Sequence, residues 1–136
     1  MNAVLVDSNV LIDVLGEDKT WAAWSAAALA RAASRSRLVI NPIIYAEVSV
    51  RAQTAEALDE ALPAEWFARE ALPYEAAFLA GRVFLAYRRR GGTRRSPLPD
   101  FLIGAHAAVA GYDVLTRDAA RYRTYFPTVR VIAPDG

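Results

Sequence analysis

The chain has 136 residues, enough for one domain with a real core, and it reads as a single domain over 1–136 without linker or low-complexity stretch. Its composition, 54% hydrophobic and 23% charged, suits a soluble globular protein; no apolar run spans a bilayer and no secretory leader pattern opens the chain, so a cytoplasmic location is expected. There is no cysteine and one histidine, His106, which excludes disulfides and Cys/His zinc sites and leaves oxygen as the donor for any metal.

The first β-rich run is "AVLV" (3–6), followed at once by Asp7, Ser8 and Asn9 in "DSNVLIDVL". "WAAWSAAALARAASR" (21–35) is alanine-rich helix material, and "LVIN" (38–41) is a second apolar run. "NPIIYAEVSVRA" (41–52) carries a capping Asn41 with Pro42 at the first helical position, which sets its helical phase. A further helix, "PYEAAFLAGRVFLAYRRR" (73–90), starts at proline and stops before Gly91 and Gly92. The apolar helix that begins at Asp100 leads through Gly111 into "DVLT" (113–116), after which "DAARYRTYF" (118–126) stops at Pro127 and "VRVIA" (129–133) closes the pattern.

Short apolar runs without strict alternation are buried parallel strands, and strands alternating with helices predict a three-layer α/β/α sandwich. Its central parallel sheet has four to five short strands; between the second and third runs about seventy residues carry no strand signal. In such sheets a ligand sits outside the carboxyl ends of the strands where the winding reverses. Asp7 follows the first strand, Asp118 follows the third, and Asp100 opens a helix that feeds it. Each of the three is also a good helix N-cap, and the cap and ligand roles are compatible.

Glu47 has no capping role. At about 100° per residue it falls near the middle of an apolar arc formed by Ile43, Ile44, Ala46, Val48 and Val50, where a carboxylate is buried and needs a partner. That partner is either Arg51, one turn on, or a cation shared with other acids. Four carboxylates at one edge repel each other unless a positive charge lies among them, and helix N-termini offer only partial charges. Mg²⁺ or Mn²⁺, hard ions that favour carboxylate oxygen, would serve, and metal-assisted phosphodiester hydrolysis is the chemistry suggested. Ser8, Asn9 and Thr116 are placed either to orient those acids or to serve turns and caps.

Taken in order, "VLVDSNVLID", the glutamate of "IIYAEV", "LPDFLIGAHA" and "VLTRDAARYRTYFP" resemble the motifs of a PIN-domain ribonuclease toxin of the VapC kind, over essentially the whole chain. The resemblance implies an Mg²⁺-dependent endoribonuclease whose acidic pocket is Asp7, Glu47, Asp100 and Asp118. Asp7 and Asp100 would be the most direct metal ligands, and Mn²⁺ a possible substitute. It further implies an RNA substrate, a small cognate antitoxin that inhibits the enzyme, and a homodimer. The same resemblance admits an RNA-processing nuclease without an antitoxin. Outside it stand a phospho-acceptor domain, for which Lys19 is misplaced, and an inactive acidic-pocket binding module.

Five of the fifteen arginines, Arg88, Arg89, Arg90, Arg94 and Arg95, fall in "RRRGGTRR" just before Asp100. They suit either a solvated helix C-terminus or an unspecific track for an RNA backbone, the latter being favoured. His106 lies more than 180° round the helix from Asp100 and is expected to pack or hydrogen-bond in the helix layer rather than catalyse. Trp21 and Trp24 are expected in the core, with an antitoxin groove as the alternative; Asp13, Asp59 and Asp113 are assigned to the surface.

Overall fold

The computed structural model describes residues 2–92 and 98–134. Arg94 and Arg95, two of the expected RNA contacts, lie outside the described residues. The strands are β1 (Ala3–Val6), β2 (Arg37–Ile40), β3 (Phe67–Arg69), β4 (Asp113–Leu115) and β5 (Val131–Ile132). The helices are α1 (Ser8–Leu15), α2 (Ala22–Arg35), α3 (Pro42–Ser49), α4 (Ala55–Ala61), α5 (Tyr74–Arg89), α6 (Leu98–Ala110) and α7 (Ala120–Tyr125). They form the expected α/β/α sandwich around one all-parallel sheet of order β3-β2-β1-β4-β5.

Strand order follows from where apolar side chains are doubly covered. Val4, Leu5 and Val6 of β1 and Val39 and Ile40 of β2 are essentially inaccessible, as central parallel strands must be. The chain winds from β1 outward to β3, then returns through α5 and α6 to lay β4 on the other flank of β1. This reversal puts the carboxyl ends of β1 and β4 side by side: Val6 pairs with Leu115, and the Asp7 amide donates to the Leu115 carbonyl at 2.9 Å.

The central helix is α6, whose Phe101, Ile103, Gly104, Ala105, His106 and Ala107 are all buried. Gly104 lets α7 approach: a Cβ there would stand 2.4 Å from the Phe126 ring. Gly111, with φ of 74°, supplies the left-handed turn from α6 into β4. Among the described residues every buried side-chain nitrogen and oxygen has a hydrogen-bond partner, and no helix is long and apolar enough to cross a membrane.

Two sequence expectations are corrected here. The long stretch without a strand signal holds β3, three residues of which only Phe67 is buried, too short and too polar to show alternation. The arc on α3 is narrower than expected: Ile44 and Val48 are buried, but Ala46 is exposed within the helix, and Val50, beyond its end at Ser49, is 84% exposed.

Candidate active site

Asp7 occupies the N-cap position of α1, yet its side chain caps nothing there. Its carboxylate instead faces the end of β4. Oδ2 accepts from the Thr116 hydroxyl at 2.9 Å and from the Tyr122 hydroxyl at 2.9 Å, with Asn9 Nδ2 at 3.5 Å and Ser8 Oγ at 3.4 Å from Oδ1. Thr116 is fully used: while donating to Asp7, its oxygen accepts from Asn9 Nδ2 and from the Asp118 amide, both at 3.1 Å. The three polar residues expected near the first and last acids therefore form one network, and it converges on Asp7.

Asp7 is only 4% exposed, and this burial pushes its pKa up. The hydrogen bonds from Tyr122 and Thr116 oppose that rise, and the charge of Asp100 adds to it. Burial likewise raises Glu47, with the charges of Asp7 and Asp100 adding to the rise and the bond from Ser8 opposing it. Tyr122, fully enclosed and facing Asp7, has its pKa pushed far up by burial first and by that carboxylate second, so it stays a donor.

Asp7, Asp100 and Asp118 line one cleft of about 280 Å³ with Arg121, Tyr122, Thr124 and Tyr125. Glu47 does not line it but is tied to it, since Ser8 Oγ donates to its Oε1 at 2.8 Å while lying beside Asp7. The alternative pairing with Arg51 does not form among the described residues; Arg51 lines a separate groove with Ile12, Leu15 and Val48. Glu47 is half-buried rather than sealed, because it sits on the flank of the narrowed apolar face. Asp100 stands in the third position of α6 as described, not at its start, so it is a first-turn acid in the field of the helix terminus. Asp118 is exposed and precedes α7, whose cap position is Ala119.

Arg121 and Tyr122 escaped sequence reading. Tyr122 and Phe126 are one turn apart and both buried, a signal for an inward face of α7. Nothing in that spacing shows that the phenol reaches Asp7. Arg121 pairs with Asp100 through Nη1 and Oδ2.

Asp13, assigned to the surface, is 1% exposed. It accepts from Arg117 Nε at 2.8 Å and from the buried Ser25 hydroxyl at 2.8 Å, and so joins α1, α2 and the β4–α7 loop. Asp59 is on the surface as expected, paired with Arg69, while Asp113 is half-buried and paired with Arg130. Trp24 packs against the core, and Trp21 stacks edge-on to it beneath the Arg117 guanidinium. His106 is buried and hydrogen-bonded in the helix layer, as expected. Arg88, Arg89 and Arg90 end α5 in solvent, and Arg90 lies over the ring of Tyr125, a wall of the acidic cleft.

The site's donors fit a hard divalent cation in chemistry: carboxylate oxygens, one of them buried, that repel each other. Among the described residues no three acidic or histidine side chains are already spaced around a common point, and Asp100 is turned to Arg121.

A buried acid at the switch point of a parallel sheet, sharing a cleft with two others, defines a class, and comparison with known proteins agrees. The PIN-domain family model matches residues 4–127, and the chain belongs to the PIN-domain family. Its fold is similar to that of VapBC2 from Rickettsia felis, solved bound to a DNA fragment from its promoter, with TM-score 0.73 and 14% identity over 96% of this chain and 98% of that one. It is also similar to VapBC-1 from nontypeable Haemophilus influenzae, with TM-score 0.71 and 17% identity over 96% and 97%. A toxin–antitoxin complex from Klebsiella pneumoniae matches with TM-score 0.67 and 23% identity over 96% and 97%. No curated protein sequence matches the chain significantly.

Proposed function

We propose that this chain is the toxin of a toxin–antitoxin pair: a VapC-type endoribonuclease that hydrolyses RNA phosphodiester bonds with Mg²⁺ and is held in check by a small antitoxin. The observation that carries this reading is the convergence of Asp7, Asp100 and Asp118 on one cleft, with Glu47 tied in through Ser8. The VapBC folds support the antitoxin partner, and the homodimer that the sequence resemblance implies is part of the same proposal.

Asp7 and Asp100 would hold Mg²⁺, or Mn²⁺ in its place, with Glu47 and Asp118 completing the acidic set. Such an ion supplies the charge that stabilises an in-line phosphate displacement and acidifies water. The protein's own part begins with Thr116, Asn9 and Tyr122, which lock the Asp7 carboxylate in one orientation. Glu47, with Oε1 held by Ser8 at the edge of the cleft, would orient water or help hold the ion. Arg88, Arg89 and Arg90, joined in sequence by Arg94 and Arg95, would guide the RNA backbone past Tyr125 into the cleft.

Purified protein should cleave RNA with Mg²⁺ and stop with EDTA. Asp7→Asn and Asp100→Asn should each cost at least about a hundredfold in rate, in line with the cost of disturbing a metal site. Run across salt concentrations, the same assay should show a shallower salt dependence for a variant with Arg94 and Arg95 replaced by alanine. Cleavage that survives both chelator and substitutions overturns the reading.

A further inference from the structure

The acidic cleft contains a cation of its own. Arg121, near the start of α7, donates from Nη1 to Oδ2 of Asp100, and its guanidinium carbon lies 5.9 Å from the centre of the Phe101 ring. The pair is neither sealed nor fully solvated, with side chains 23% and 36% exposed, and both residues line the cleft beside Asp7 and Asp118. The carboxylates that share this cleft need counter-charge, and Arg121 supplies part of it at Asp100.

That carboxylate is the one the nuclease reading assigns to a divalent cation, and the present inference rests on that reading. A guanidinium and a metal ion compete for the same lone pairs, and each repels the other at contact distance. The arginine has somewhere to go: it sits on a long stem anchored in α7, with an aromatic face next to it. Once off Asp100, a planar fork of donors at the wall of a phosphate-cleaving cleft is matched to a phosphate's oxygens.

We propose that Arg121 is an internal counter-ion that occupies Asp100 until a divalent cation displaces it, and that the released guanidinium then takes a phosphate oxygen of the RNA at the cleft wall. Metal binding and RNA binding are thereby positively coupled, because each removes an obstacle to the other. Metal affinity is kept modest by the pair that must be broken.

The test is a Mn²⁺ titration by calorimetry on the intact protein, comparing wild type with Arg121→Met, which keeps the stem over Phe101 but not the charge. Arg123→Met, on the same helix, controls for the general loss of a positive charge, and Arg121→Lys restores it. Arg121→Met should bind Mn²⁺ about three- to fivefold tighter, the size expected for releasing a partly exposed ion pair. Arg123→Met should stay within about twofold of wild type and Arg121→Lys should return towards it. In RNA cleavage, Arg121→Met should raise KM more than it lowers kcat. Equal Mn²⁺ affinity in wild type and Arg121→Met, or equal tightening in Arg123→Met, overturns the counter-ion role, and an unchanged KM overturns the phosphate contact. Failure of the nuclease reading looks different: wild type then binds no Mn²⁺ at all, and this inference falls with it. Circular dichroism of each variant checks that the fold is intact.

Discussion

Asp7 stands where a helix cap belongs and declines the role, leaving the first turn of α1 without a side-chain acceptor. A cap is worth about 1 kcal/mol, so the placement trades local helix stability for a carboxylate aimed at Thr116 and Tyr122. Asp13, six residues on, has the opposite character: a buried acid whose partners are structural. Arg117 Nε and the inaccessible Ser25 hydroxyl both donate to its Oδ2. In Asp13→Ala the arginine can turn to water, being 32% exposed, but Ser25 cannot. The substitution should cost about 2–3 kcal/mol, mostly from the orphaned hydroxyl and the void, measured as a shift in the urea midpoint. Loss of RNA cleavage out of proportion to that shift would show that Asp13 also serves the chemistry.

Among the elements, α6 carries the tightest constraint. Its Gly104 meets Phe126, itself buried, so a methyl group has to push an aromatic ring that is packed on Phe101. Gly104→Ala should destabilise by about 1–3 kcal/mol despite the better helix propensity of alanine. On α5, a Cβ added at Gly81 would meet nothing within 4 Å, and there propensity acts alone. Gly81→Ala should stabilise by about 0.5–1 kcal/mol. Thermal melts of the two variants form a matched pair, and the same sign of change in both would contradict the packing argument. The order of helices and strands was legible in the sequence because proline, glycine and Asn41 punctuate it; the Asn41 side chain accepts from the Ile44 amide as a cap does. Helix α3 nevertheless stops at Ser49, one residue before the last member of its apolar arc, and β3 left no periodicity to read, being three residues at the sheet edge.

For the molecule as a whole, the response to acid follows from a polar chain buried beside the sheet. Asn41 Oδ1 is committed to Ile44, so Nδ2 must donate to His106 Nδ1 at 3.0 Å, which leaves the histidine proton on Nε2 towards Glu70 at 3.5 Å. Burial lowers the His106 pKa below its ordinary 6.5, and the Glu70 charge only partly offsets this. Burial acts to raise Glu70, yet the bonds from Tyr112 and Arg37 outweigh it and hold the group below 4.5. Both folded pKa values are depressed, so between each ordinary value and its lowered one the unfolded chain binds more protons. The contribution of this pair is therefore complete above about pH 6.5 and is lost as pH drops through the lowered His106 value, then further below about 4.5 as Glu70 is protonated, while Asp7 and Glu47, raised by burial, act in the opposite sense. Denaturation midpoints at about pH 7.5 and about pH 5.5 should show this loss, and His106→Gln should flatten it in that window. A loss of equal size in His106→Gln would place its origin elsewhere.

The sequence alone determined the fold class and marked the candidate acids in their order, because hydrophobic periodicity and helix punctuation are local properties that survive in one dimension. It also marked Ser8, Asn9 and Thr116 as neighbours of those acids, since a residue beside a strand end stays beside it in any fold. What only the tertiary structure decided is pairing across the chain. Ser8 reaches Glu47 rather than leaving it to Arg51, Tyr122 reaches Asp7, Asp13 turns inward to Arg117 and Ser25, and Arg121 holds Asp100. Each of these partners is separated in sequence by 12 to 115 residues where a hydrogen bond joins them. Such contacts depend on which strand lies next to which, and the reversal that brings β4 against β1 is a property of the packed sheet that no local pattern encodes.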